Sequence, residues 1–105
     1  MKNDLVDNPD AGRLELLIED AVVGRLAYKR VDDTVSFTDI DTDLRRAGQG
    51  LGLVLVRKAL DAASTEGLAV LPVCPFVRDF IQRHPVYLDL VPTGQRERFR
   101  LPTQT

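Results

Sequence analysis

The first part of the chain alternates apolar and polar residues, whereas the second part spaces its apolar residues at helical intervals. Three alternating runs, over residues 13–19, 22–29 and 34–40, are separated by short polar turns. A period of two predicts half-buried β-strands. The short connections favour an antiparallel meander, and Gly24 is a candidate for a bulge in the second strand.

From about residue 51 the apolar positions recur every three or four residues, which predicts an amphipathic helix. Gly67 is a plausible end for this helix, because glycine is the preferred residue just after a helix. The apolar segment 68–73 is typical of a strand buried on both faces, with Pro72 ending the pairing or marking a bulge. Together with residues 34–40 these elements predict a β-α-β unit with parallel strands.

The last part of the chain predicts a second helix and a final strand. Proline suits the first position of a helix, so a helix over residues 76–83 is expected to begin at Pro75 and to stop at His84. Residues 86–91 predict a strand. The polar tail, 93–105, is expected to be loosely ordered.

Length and composition limit the classes of protein that fit. The 105 residues suffice for a single domain, with an ordered core expected over about 12–92. A net charge of −2 gives no electrostatic case for binding nucleic acid or an anionic membrane surface. No apolar run is long enough to span a bilayer.

Cysteine and histidine counts narrow the picture further. The single cysteine, Cys74, cannot form an internal disulfide, and with the single histidine, His84, it cannot complete a four-ligand zinc site. We therefore expect no metal. A reducing cytoplasm is the simplest location.

The most informative motif is a glycine-rich segment directly before the first predicted helix. Gly48, Gly50 and Gly52 occupy alternate positions, which suits a loop whose backbone must come close to another group. A helix start presents unpaired N–H groups and the positive end of the helix dipole, so the segment predicts a phosphate or other anion site.

The loop has three other interpretations. A tight strand-to-helix turn without a ligand explains the glycines equally simply. A dinucleotide-binding site requires an earlier β-α-β unit, whereas the preceding strands look antiparallel, and a nucleoside-triphosphate loop requires a Gly-Lys-Ser/Thr sequence that is missing here.

Three motifs in order resemble the GNAT superfamily of acyl-CoA N-acyltransferases. They are the glycine loop 48–52, the Cys-Pro-Phe segment within 73–77 and the Arg-His-Pro-x-Tyr element within 83–91. The resemblance extends over residues 13–91 and is greatest to short single-domain proteins of the YjdJ type. It implies a GNAT α/β fold: a mixed sheet with an antiparallel N-terminal meander, a central β-α-β unit and two parallel strands that splay apart, near 34–40 and 68–73.

The resemblance also implies a cofactor, acetyl-CoA, and the residues that hold it. Backbone amides of the glycine loop would hold the pyrophosphate, and the exposed edge of a splayed strand would pair with the pantetheine arm. The implied cofactor-binding residues are Arg45, Ala47, Gly48, Gln49, Gly50, Leu51, Gly52, Pro75 and Phe76.

Two departures from the family pattern affect this assignment. The leading Gln/Arg of the family motif falls on Ala47, or on Arg45 if the alignment is shifted by two residues. A histidine that the family often has before the loop is missing from 37–41. A proton-transfer role then passes to Asp39, Asp41 or water, or is absent.

The implied catalytic residues are Cys74, Asp39 and Tyr87, and each also has a structural interpretation. Cys74 precedes a predicted helix N-terminus, where the dipole lowers a thiol pKa, so it is a candidate acid or acyl-accepting nucleophile. It is equally a small buried residue. Tyr87 is a candidate proton donor or a residue covering the core, and Asp39 a base or a solvated carboxylate. His84 fits a helix end that bonds a terminal carbonyl better than it fits a base.

The resemblance implies acetyl transfer from acetyl-CoA to an amine, either a small amine or a lysine or N-terminus of a protein. One alternative is a module that binds acetyl-CoA with little or no turnover, and another is an interaction domain that binds no nucleotide. A monomer or weak dimer is expected.

Overall fold

The computed structural model describes residues 3–46 and 48–103. Five strands form one sheet in the order β1-β2-β3-β4-β5, with the first four antiparallel and β5 parallel to β4. The strands are β1 Asn3–Asn8, β2 Arg13–Ile18, β3 Ala21–Val31, β4 Thr34–Thr42 and β5 Ala69–Pro72. The predicted meander and β-α-β unit are therefore confirmed.

Three α-helices complete the regular structure: α1 Leu51–Thr65, α2 Pro75–Arg83 and α3 Thr93–Arg96. Short 3₁₀ helices cover Pro9–Ala11, Leu44–Arg46, Pro85–Leu90 and Glu97–Phe99. The helix α1 packs on the sheet through a buried stripe at helical spacing, Leu51, Leu55, Val56, Ala59, Leu60 and Ala63. This stripe joins the sheet and α2 in one hydrophobic core. No helix among residues 3–46 and 48–103 is long and apolar enough to cross a membrane.

The C-terminal end of α1 is closed by hydrogen bonds of the backbone itself. At the C-terminal end Gly67 has φ = +71°, its N–H donates to the Ser64 carbonyl (3.2 Å), and the Leu68 N–H donates to the Ala63 carbonyl (2.9 Å). This pair of bonds is the Schellman arrangement, which satisfies the last carbonyls of a helix. The predicted glycine stop is confirmed.

Two bulges bend the meander. The β2–β3 register skips Val23, the neighbour of the predicted bulge residue Gly24. The β3–β4 register skips Thr38, since Ala27 pairs with Asp39 but Tyr28 pairs with Phe37. A bulge re-aims the strand that carries it, so β4 changes course just where its pairing with β5 ends.

The predicted last strand over 86–91 is wrong. Residues Pro85–Leu90 form a 3₁₀ helix in which Leu88 is buried, and Val91 follows as a buried residue while Val86 is 79% exposed. Burial at a spacing of three matches a 3₁₀ helix rather than the alternation of a strand. Pro85 at its first turn favours the same outcome.

The expected loose tail is also wrong for residues 93–101. Leu101 is buried, Arg96 is 5% exposed, and the Arg96 Nε donates to the Val91 carbonyl at 3.0 Å. From α2, the Arg78 guanidinium donates to the carbonyls of Phe99 and Arg100 (2.8 and 3.1 Å). The two Arg78 hydrogen bonds therefore join the tail to α2.

Candidate functional site

The glycine loop adopts a conformation that requires glycine. Gly48 and Gly50 have φ values of +88° and +68°, a region that side chains other than glycine rarely enter. A Cβ at either position would meet nothing within 4 Å. The space beside the loop backbone is therefore open, and Gly48 and Gly50 are required by the backbone conformation and not by a neighbouring group of the chain.

The first turn of α1 presents unused amide groups beside this loop. Its first intrahelical bond runs from the Val54 N–H to the Gly50 carbonyl (3.1 Å), so the N–H groups of residues 51–53 precede the helical ladder. Among the described residues no side chain caps this end. The amides and the positive end of the dipole favour an anion here.

A cleft of about 570 Å³ opens against these amides. We call it the glycine cleft, and its lining residues are Ile40, Thr42, Arg46, Gly48, Gly50, Leu51, Gly52, Leu53 and Phe76. Its volume lies in the range of small-molecule sites, about 300–1,000 Å³. Arg46 is the one charged residue in this described lining, so the charge of the cleft is positive.

One wall of the glycine cleft is the free edge of β4. Parallel pairing joins Thr34–Phe37 to Ala69–Pro72 and then ends, whereas β4 continues to Thr42. Beyond Phe37 the described part of β4 pairs only with β3. An unpaired strand edge offers N–H and C=O groups to an extended ligand. The pairing stops because β5 itself ends at Pro72, and the implied splaying of the two parallel strands stays a prediction.

Gly52 and Phe76 join the two helices beside the cleft. A Cβ on Gly52 would lie 2.9 Å from the Phe76 Cζ, so the bare glycine lets the aromatic ring rest on the first turn of α1. Phe76 is 40% exposed. Its ring thus forms part of the floor that a ligand in the cleft would contact.

The predicted polar loop residues are not all gathered at the cleft. Arg45 is turned away: its Nε lies 3.3 Å from Asp43 Oδ1 and its side chain is 91% exposed. Hydrogen bonds from the Arg45 backbone and side chain lower the pKa of Asp43 below its usual value. Arg46 lines the cleft instead. Gln49 is exposed outside this lining, and Ala47 lies outside the described residues.

Cys74 stands at the N-terminus of α2, as predicted. Its N–H donates to the Phe37 carbonyl (2.7 Å) and its carbonyl accepts from the Arg78 N–H (3.0 Å). The side chain is 3% exposed. The position thus joins β4 to α2 just after the parallel pairing ends, but the thiol itself is covered.

The other two predicted catalytic residues lie apart from the cleft lining. Asp39 pairs with Ala27 across the strands and is exposed. The Tyr87 hydroxyl donates to Asp61 Oδ1 at 2.8 Å, and burial followed by this bond raises the pKa of Tyr87. Asp61 is ten residues along α1 from Leu51, which is about 15 Å of helix.

His84 closes the C-terminus of α2. Its Nδ1 lies 2.9 Å from the Phe80 carbonyl, and its ring stacks on Phe80 at 4.1 Å between centroids. The expected helix-end role of His84 is therefore confirmed. The same residue lines a cavity of about 360 Å³ between the helices, which shares Leu53 and Phe76 with the glycine cleft.

Sequence reasoning missed several residues of the glycine cleft. Ile40, Thr42 and Leu53 line it, and so does Arg46, the neighbour of the expected residue Arg45. Pro75 lies on a different groove, across α2. The alternation of β4 beyond Phe37 could have indicated Ile40 and Thr42. That inference requires the position of the bulge, because the bulge changes which residues share a face of the sheet.

Comparison with known proteins identifies the family. A family model described as GCN5-related N-acetyl-transferase matches residues 13–90. The chain belongs to the GCN5-related N-acetyltransferases. This confirms the resemblance, the GNAT fold class and the class of enzyme, an N-acetyltransferase. The narrower YjdJ-type assignment stays a prediction.

A solved structure supports the same fold. A GCN5-like protein from Staphylococcus aureus, determined in solution by NMR, matches with a TM-score of 0.63 at 16% identity. The match covers 85% of this chain and 87% of that one. The search of curated proteins gave no significant match. At this identity the neighbour shows the fold alone.

No cluster of three or more metal-ligating side chains occurs within the described ranges. The donors that the glycine cleft offers are backbone amides, one guanidinium and an unpaired strand edge. These fit a phosphate-bearing, amide-rich ligand, which is the chemistry of coenzyme A.

Proposed function

We propose that this chain transfers an acetyl group from acetyl-CoA to an amine. The observation that carries the proposal is the glycine cleft, where the open N-terminus of α1 and the free edge of β4 border one space. In this assignment acetyl-CoA is the donor substrate. The donor supplies an activated thioester, and the protein supplies its positioning.

The parts of the donor match different parts of the cleft. Backbone amides of Gly48, Gly50 and the first turn of α1 would hold the pyrophosphate, with Arg46 supplying charge. The edge of residues 38–42 would bond the amides of the pantetheine arm. Phe76 would pack against it, and Gln49 and Pro75 are kept as weaker candidates because they do not line the cleft.

The transfer itself forms a C–N bond on the acceptor as the C–S bond of the thioester breaks. One proton leaves the amine and one is needed by the departing sulfur, so a base or a water chain must serve the amine. Asp39 is the carboxylate that follows the bulge of β4, two residues after the carbonyl that binds Cys74. We propose Asp39, acting through water, as that base.

Cys74 has two possible roles, an acid for the departing sulfur or a nucleophile that carries the acetyl group. Its position, bonded to the Phe37 carbonyl where the free edge of β4 begins, supports a place near the thioester. Tyr87 fits less well, because its hydroxyl is bonded to Asp61. A proton-donating role for Tyr87 would require it to leave that carboxylate.

A second function, binding of acetyl-CoA with little turnover, is favoured by one specific observation. Of the three predicted catalytic side chains, Cys74 is 3% exposed and neither Asp39 nor Tyr87 lines the cleft. A cleft that can bind acetyl-CoA but is not lined by acid and base groups would suit a module that binds acetyl-CoA with little turnover. Cytoplasmic location and a monomer or weak dimer remain predictions.

The deciding experiment pairs calorimetric titration of acetyl-CoA with turnover measurements on Cys74→Ala and on Val31→Ala, a control at an exposed valine outside the cleft lining. We expect micromolar binding, about −8 kcal/mol, in all three proteins. A catalytic Cys74 predicts a fall in kcat of about a hundredfold in Cys74→Ala alone, as for loss of an acid–base group.

Intact-mass measurement after mixing with acetyl-CoA separates the two roles of Cys74. A protein heavier by one acetyl group, with no gain in Cys74→Ala, indicates the nucleophile. If all three proteins bind acetyl-CoA and none turns it over, the result supports the binding module. Absence of binding in the unmodified protein would overturn both.

A further inference from the structure

A second groove lies on the other side of α2 from the glycine cleft. It encloses about 210 Å³. We call it the arginine groove, and its lining residues are Pro72, Val73, Pro75, Arg78, Arg98, Phe99 and Arg100. Neither the family match nor the expected cofactor residues account for its three arginines.

The tail holds these arginines in place. Arg78 donates from Nε and Nη2 to the carbonyls of Phe99 and Arg100, and from Nη1 to Asp79 and Gln82. Arg100 has φ = +56°, an uncommon conformation for a residue with a side chain. The Arg98 guanidinium lies 4.9 Å from the centre of the Phe99 ring. The groove is thus built by a tertiary contact between α2 and the tail.

The charge of the groove is unbalanced. Among the described residues no Asp or Glu lines it, although the chain as a whole has more acidic than basic residues, 16 against 14. Arg78 has a carboxylate partner, Asp79, whereas no described ion pair involves Arg98 or Arg100. Adjacent guanidinium groups repel one another, and an anion between them removes that cost.

The groove also reaches the reacting region. Val73 and Pro75, which line it, are the residues on either side of Cys74, and consecutive Cα atoms are about 3.8 Å apart. The segment 73–75 therefore has the glycine cleft near Phe76 on one side and the arginine groove on the other. A donor and an acceptor could approach this segment from opposite sides.

We propose that the arginine groove binds a carboxylate of the acceptor, so that the preferred substrates are amines that carry a nearby acidic group. The proposal rests on the proposed acetyl transfer and names its substrate class. Free acidic amino acids and acidic peptides share this chemistry. Arg98 and Arg100 would pair with the carboxylate, while Arg78 mainly holds the tail.

The test compares acceptors that differ only in charge. Aspartate and glutamate are set against asparagine and glutamine, both as single amino acids with the α-carboxyl group amidated and as the first residue of a six-residue, C-terminally amidated peptide with one amine. We expect kcat/KM to be about tenfold higher for each acidic member, the effect of one or two charge-assisted contacts. The free and peptide arms show which source the groove prefers.

The variant Arg98→Gln, Arg100→Gln should raise KM for the acidic acceptors about tenfold and leave the neutral ones unchanged. Arg57→Gln, at an exposed position on α1 outside both grooves, is the matched charge control. Equal or better turnover of the neutral acceptors would overturn the proposal.

A direct binding arm keeps the proposal separate from the acetyl-transfer assignment. The same acidic and neutral peptides, labelled with a fluorophore, are titrated with the protein in the absence of acetyl-CoA. Binding of the acidic peptide that is lost in the double variant supports the groove even if no turnover occurs. If acetyl-CoA binds and turns over but neither acidic acceptors nor acidic peptides are favoured, the groove assignment alone fails.

Discussion

The two ends of α1 meet the sheet in opposite ways. At the N-terminal end the helix begins at a glycine in the left-handed region, its first amides are unused, and a cleft of about 570 Å³ lies against them. At the C-terminal end Gly67 and Leu68 satisfy the last carbonyls, and the adjoining cavity holds only about 50 Å³. The helix α1 therefore leaves backbone amides unbonded at its N-terminus and completes its backbone hydrogen bonds at its C-terminus.

The difference teaches how glycine serves binding and stability separately. Gly50 and Gly67 have nearly the same φ, +68° and +71°, and a Cβ would meet nothing within 4 Å at either position. At Gly67 this conformation completes the hydrogen bonds of the chain itself. At Gly50 it leaves amides available for a ligand.

Replacing each glycine in turn by glutamate should give the largest difference between the two ends of α1. Gly50→Glu places a carboxylate where we propose the pyrophosphate to lie, so the Kd for acetyl-CoA should rise about a hundredfold or more, equivalent to about 3 kcal/mol. Gly67→Glu should leave that Kd unchanged. Both are measured by calorimetric titration.

Stability should respond in the opposite order. Both substitutions force a side chain into the left-handed region, at a cost of about 1 kcal/mol. A carboxylate is favourable at a helix N-terminus and unfavourable at a C-terminus, so urea unfolding should show Gly67→Glu as the less stable variant. Equal loss of acetyl-CoA binding in both would mean that the effect is general unfolding and not a blocked site.

A second test separates two neighbouring arginines at the open end. Arg46 lines the cleft, whereas Arg45 is held by Asp43. We expect Arg46→Gln to raise the Kd for acetyl-CoA about fivefold, as for one partly exposed charge pair, and Arg45→Gln to change it less than twofold. The Arg46 effect should shrink in high salt. A larger effect from Arg45→Gln would show that Arg45, the residue suggested by the sequence motif, is the one that binds the cofactor.

Local patterns predicted the parts of the fold that depend on neighbours in sequence. The period of α1, its glycine stop, Pro75 at the start of α2 and the alternation of β2 to β4 were visible along the chain, and each is confirmed. The glycine loop was visible for the same reason. Its conformation follows from the residue type.

Elements that depend on distant contacts could not be predicted in this way. The strand β1 is rich in Asp and Asn, which are uncommon in strands, and only its edge position tolerates them. The tail is ordered because Arg78 on α2 binds its carbonyls. The pairing of Tyr87 with Asp61 spans 26 residues.

The residues 86–91 show how a true local signal can be outweighed. Valine and tyrosine have high β-propensity, which suggested a strand. Two apolar residues, Leu88 and Val91, are three apart and both buried, and Pro85 precedes them. That spacing was present in the sequence, and it matches a 3₁₀ helix.

The smallest expected effect comes from Tyr28, at the closed end of α1. Its hydroxyl donates to Asp7 Oδ1 at 2.6 Å beside the small cavity, and burial followed by this hydrogen bond raises the pKa of Tyr28 to about 12. A raised pKa means that the fold favours the protonated phenol. The stabilisation is therefore complete below pH 10, the ordinary value, and is lost as the pH rises from about 10 to about 12.

Tyr28→Phe should lower the free energy of unfolding at pH 8 by about 0.5–1 kcal/mol, a modest value because the pair is partly exposed. The difference between variant and unmodified protein should disappear toward pH 12, which urea unfolding at several pH values checks while shared effects of lysine titration cancel. The Kd for acetyl-CoA at pH 8 should stay the same within twofold. A larger change in that Kd would show that the closed end of α1 controls the open one, and that the two ends are not independent.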